Sequence, residues 1–99
     1  MAFFEVTSGE VRAKASTLSE LNHEFRNRQR ELEEKEASLC SMWEGEAKNT
    51  FHRAFTSDKS QTDAFASLID RYVDALLEIA QRYEEAERRA AELAAARNY

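Results

Sequence analysis

Few side chains in this 99-residue chain are of types that do chemistry. Histidine occurs at His23 and His52 and cysteine only at Cys40. Neither histidine has a second His or a Cys at ligand spacing, and one thiol gives no metal framework, so the pattern predicts no metal site. The carboxylate pairs Glu33-Glu34 and Glu84-Glu85 are adjacent, so on a helix they point apart and cannot share a proton or a substrate. The chain has neither a glycine-rich phosphate loop nor a nucleophile elbow. These residues predict no catalytic group and no cofactor. Recognition chemistry remains. Trp43-Glu44-Gly45 near the midpoint joins a large ring to a glycine, while Tyr83 and Glu87, four residues apart, share one helix face that a partner could read.

The elements that carry these residues follow from composition. One third of the residues are charged, proline is absent and glycine occurs twice, which is the balance of long helices and not of sheets. Ninety-nine residues make one domain, near the lower size at which a single core suffices. The formal charge is −5, with nine acidic and six basic residues up to Gly45 and ten against eight after it. With a pI near 5.1 and no basic arm, the chain lacks a nucleic-acid footprint. Arg26, Arg28 and Arg30 are the densest basic group, but Glu24, Glu31, Glu33 and Glu34 surround them. Met1–Val6 is too short and, with Glu5, too acidic for a cleavable signal peptide, and no apolar run approaches the about 20 residues of a membrane span. Cys40 has no internal partner and reads as a reduced side chain near a bend.

Hydrophobic periodicity places two helical arms on either side of Gly45. Thr7 with Glu10 reads as an N-cap with its capping box. From there Val11, Leu18, Phe25, Leu32 and Leu39 recur every seven residues. Leu21 and Met42 partly fill the companion position, which Lys14, Arg28 and Lys35 otherwise occupy. The second arm carries Phe51, Phe65, Tyr72 and Ile79 in one seven-residue column, and Phe55, Ile69, Leu76 and Tyr83 in another. Leu68, Val73, Leu77 and Ala80 widen its apolar surface. The expected architecture is all-α: helix 1 over about 8–42, a turn over 43–46 and helix 2 over about 47–95, one helical-hairpin domain spanning 1–99. Gly45 is expected to take the left-handed conformation that ends the first helix. The columns are symmetric about Gly45, so Val11 would lie beside Ile79, Leu18 beside Tyr72, Phe25 beside Phe65 and Leu39 beside Phe51. Leu32 opposite Asp58 is the mismatch, inside the polar stretch Thr56–Asp63, where continuity is expected because neither proline nor glycine interrupts it. Apolar surface on two sides of the second arm exceeds what one narrow arm covers, so a second hairpin should complete a four-helix bundle. Residues from about Tyr83 to Tyr99 would overhang.

These residues resemble a known family. Trp43-Glu44-Gly45 in a turn, Ala47 and Phe51 after it, the opening Val6-Thr7-Ser8-Gly9-Glu10-Val11-Arg12 and a length near one hundred are similar to the WxG family of small helical-hairpin proteins, the early-secreted-antigen-like substrates of type VII (ESX) secretion. Gly9 is an unusual residue for that opening. Tyr83 and Glu87 fit the family's carboxy-terminal pattern, a tyrosine followed four residues later by Asp or Glu. The resemblance implies a protein made in the bacterial cytoplasm and exported without a cleavable signal peptide, as a folded antiparallel dimer, through a membrane-bound secretion ATPase. It also implies that Trp43 and Gly45 of one hairpin, with Tyr83 and Glu87 of its partner, form a bipartite export signal. The partner would be a second copy, since this chain carries both halves. A paralogous hairpin or the helical domain of a larger toxin is the alternative. A hairpin scaffold that stays in the cytoplasm is the rival reading, with Trp43 and Tyr83 as packing residues.

Overall fold

The computed structural model describes residues 6–97; the expectations that reach Met1–Glu5, Asn98 and Tyr99 lie outside them. Two helices, α1 (Ser8–Ser41) and α2 (Glu46–Arg97), form an antiparallel hairpin. At 1.5 Å per residue, their 34 and 52 residues span about 51 and 78 Å, consistent with a long dimension of 83 Å. No helix among the described residues is long and apolar enough to cross a membrane.

α1 starts where the sequence places it. Thr7 is extended, and its hydroxyl oxygen accepts the Glu10 amide at 3.0 Å. At its other end Met42 leaves the helical region at φ −111°, ψ 9°, while its amide donates to the Leu39 carbonyl at 3.2 Å. Gly45 does not end α1. It stands just before α2 at φ +114°, and its carbonyl accepts the Asn49 amide at 3.4 Å, so its permissive backbone launches the second helix. α2 runs unbroken through Thr56–Asp63. There Lys59 and Asp63, one turn apart, pair at 2.7 Å, and the Thr62 hydroxyl donates to the Lys59 carbonyl.

The innermost line of the hairpin is neither apolar column. Ala15, Asn22, Gln29 and Glu36, spaced by seven on α1, run against His52, Lys59, Ala66, Val73 and Ala80, spaced by seven on α2. Ala15, Ala66, Ala80, Asn22 and Glu36 are the buried members. Alanines let the backbones approach, and the polar members find partners there. The Asn22 amide donates to the Ala66 carbonyl and to Asp70, each at 2.9 Å. Gln29 donates to Thr62, Lys59 pairs with Glu33 at 3.4 Å, and the His52 ring meets Glu36 at 2.8 Å. Asn22 with Ala66 and Glu36 with His52 are equidistant in sequence from Glu44, one residue from the expected axis of symmetry. The expected columns therefore flank this line. Phe25 and Phe65 do meet, ring centroids 5.9 Å apart and edge to face.

Candidate interaction face and turn

The two flanks of the seam differ in kind. On one, ion pairs bridge the helices: Arg12 grips Glu84 with two hydrogen bonds of 2.7 and 2.8 Å, and Arg26 pairs with Asp70 at 2.8 Å. The Arg12 guanidinium, helped by a hydrogen bond from Ser8, holds the Glu84 carboxyl below its ordinary range. Arg26, followed by Asn22, does the same to Asp70. On the other flank, Leu18, Leu21, Phe25, Phe65 and Ile69 line one apolar depression. Phe25, Leu32 and Phe55 line a second, together with Gln29, Asp58 and Thr62. The Leu32–Asp58 mismatch is this notch: the short polar side chains leave it open, and Leu32 stands 60% exposed above it.

The structure thus gathers most of the expected seam on one open face. Leu21, Leu32, Leu39, Phe51, Phe65, Tyr72 and Ile79 are exposed, and Val11, Leu18, Phe25, Phe55, Leu68, Ile69 and Leu76 are half-buried. No large side chain among the described residues is fully buried. A hairpin whose interior is alanine, amide and acid leaves its aromatic and branched side chains facing water.

The turn is built by aromatics. Trp43 is half-buried, its ring centroid 5.9 Å from that of Phe51, which in turn lies 6.3 Å from Phe55 one turn along α2. A Cβ at Gly45 would meet nothing within 4 Å, so glycine is there for its backbone and not for space. Tyr83 is 46% exposed and Glu87 exposed, just where the Arg12–Glu84 clasp ends the contact between the helices. Residues 86–97 are exposed throughout, a projection of about 20 Å beyond Glu84. Within one chain Trp43 and Tyr83 lie at opposite ends of the hairpin, roughly 55 Å apart along α2.

One constellation was invisible to spacing. Glu36 and Cys40 are a turn apart on α1, and His52 faces them from α2. The Cys40 thiol donates to Glu36 Oε2 at 2.9 Å, and His52 Nδ1 lies 2.8 Å from the same oxygen. The Cys40 bond, then that of His52, draws the Glu36 carboxyl below its ordinary range; the same bond, with burial, pushes the Cys40 thiol up. The signals that would have found it are the four-residue step from Glu36 to Cys40 and the shared distance of Glu36 and His52 from the turn.

A family model described as proteins of 100 residues with WXG matches residues 4–88. Comparison with curated proteins and with solved structures gave no match. The match covers both helices through Glu87, including the Trp43-Glu44-Gly45 turn and the Tyr83–Glu87 step. The chain belongs to the WXG100 family, small helical proteins of the type VII secretion-substrate kind.

Proposed function

We propose that this protein is a type VII substrate exported as a folded dimer, acting by protein–protein binding as a secreted factor or as an escort for a co-secreted partner. The observation that carries the reading is the open apolar face together with the separation of two motifs, Trp43 with Gly45 at one end and Tyr83 with Glu87 at the other. A second copy laid antiparallel on that face covers it. A two-fold axis near the Phe25–Phe65 pair, close to midway between the turn and Glu84, sets each turn beside the partner's Tyr83. The signal is then complete only in the dimer, which couples export to assembly. The membrane-bound secretion ATPase is the reader, and Tyr83 and Glu87 on one exposed helix face are what it contacts.

An export assay in a host with an active type VII system tests this, comparing the wild type with Trp43→Ala and Tyr83→Ala and checking dimerisation of each. Wild type in the medium, with dimeric variants held in the cell, supports the reading. Wild type held in the cell overturns it and leaves a hairpin module whose Trp43 and Tyr83 are packing residues.

A further inference from the structure

We propose that Glu36, Cys40 and His52 form a binding site for a zinc-class divalent ion, with one coordination position open to water, at the turn end of the hairpin. Their ligand atoms all lie within 4.8 Å of one another. Elsewhere on the hairpin acidic groups meet cations: Glu84 meets Arg12, Asp70 meets Arg26, and Asp63 and Glu33 meet Lys59. Glu36 is the exception. It is the one charged side chain that is buried among the described residues, 7% exposed, and the groups at bonding distance are a thiol and an imidazole. A buried carboxylate is costly unless paired with charge, and a divalent ion between these three donors supplies that charge.

The donor set selects the ion. Carboxylate oxygen, thiolate sulfur and imidazole nitrogen are the three ligand types zinc takes at 2.0–2.3 Å, and three protein ligands plus water are its usual open site. Magnesium and calcium require oxygen ligands throughout. Two ligand atoms on a tetrahedral ion of those bond lengths lie about 3.3–3.7 Å apart. The present 2.8 and 2.9 Å contacts therefore need to open by under about 1 Å. His52 is exposed and Cys40 half-buried, so side-chain rotation suffices while Glu36 stays fixed. Bonds form from the ion to Sγ, Nδ1 and Oε2 as all but one of its water ligands leave. The thiol proton passes to solvent, and His52 carries its remaining proton on Nε2. The charge of Lys48 is felt at both Glu36 and Cys40 and opposes the ion, which keeps affinity below that of a closed structural site. When filled, the site ties the last turns of α1 to the second turn of α2 and fixes the loop that carries Trp43. Nothing in this site depends on export.

The test uses the full chain, reduced and stripped of metal, titrated with cobalt(II) as a spectroscopic stand-in and then with zinc. The expected result is a thiolate-to-cobalt charge-transfer band saturating at one ion per chain, abolished by zinc and untouched by excess magnesium. Cys40→Ala should remove the band. His52→Ala should weaken zinc binding by more than the about 10- to 100-fold that loss of an outer-shell partner costs, and His23→Ala should leave it unchanged. Circular dichroism reports whether each variant keeps its helices; Cys40 and His52 are not buried, so their variants carry the test even where Glu36→Gln unfolds. Absence of the band in excess cobalt, or zinc affinity unaltered in His52→Ala, overturns the proposal.

Discussion

Gly45 holds its backbone at φ +114°, and the space around it is open, so a side chain there meets strain and no clash. Gly45→Ala is accordingly expected to lower stability by about 1–3 kcal/mol, all from the backbone, as measured by chemical denaturation. Gly45→Asn should recover part of that loss, because asparagine tolerates positive φ better than alanine. That the chain turns around Trp43 and Gly45 was legible from the sequence, since a chain with two glycines and no proline has few ways to turn. The role of the glycine was not. Which side of the turn needs the positive φ depends on where α1 stops, and Met42 leaves the helix three residues earlier without help from glycine. Glu36, Cys40 and His52 were missed for a related reason. Ligand-spacing rules act within one element, whereas this trio is made by the hairpin register.

At the scale of the helices, the sequence disclosed two arms, the Thr7 cap of the first and the continuity of α2 through Thr56–Asp63. It did not disclose which line faces inward. Reading for apolar repeats finds Leu18, Phe25 and Leu32, yet the column that lets two helices approach is Ala15, Asn22, Gln29 and Glu36, all but Ala15 amide or acid. Small residues give proximity, and each polar rung meets its partner in one register only. Asn22 bonds Ala66 and Asp70, Gln29 bonds Thr62, and Glu36 meets His52. A slip of one turn would break them together. The Arg12–Glu84 clasp closes the far end, and its pH dependence has a definite sign. Because the folded carboxyl sits below its ordinary value of 4.5, the clasp stabilises the hairpin above that pH and loses its contribution as pH falls through it toward the lower folded value. Amide exchange in the first two turns of α1 should therefore show extra opening on acidification. Arg12→Ala should produce that opening already at neutral pH and remove the part of the acid response due to Glu84.

The hairpin is a rod with one ion-paired flank and one apolar flank, and among the described residues only alanines are fully out of water. That asymmetry was half visible in the sequence: the surplus of apolar surface was evident, but its collection on a single face appears only once the seam is known. Phe65 stands near the centre of that face, half exposed and in contact with Phe25. If a second copy covers it, Phe65→Glu sits twice across the interface near the axis, and a central anchor costs about 2 kcal/mol or more each time. Sedimentation equilibrium should then show dimer affinity falling by roughly 1,000-fold or more. The most direct test is a distance. Chains spin-labelled at Glu44→Cys are mixed with chains labelled at Glu87→Cys, both carrying Cys40→Ser, and dipolar coupling between chains is measured. An antiparallel dimer requires a short Glu44–Glu87 separation between chains, against roughly 60 Å along one chain. Absence of interchain coupling, or a short Glu44–Glu44 distance instead, would contradict it.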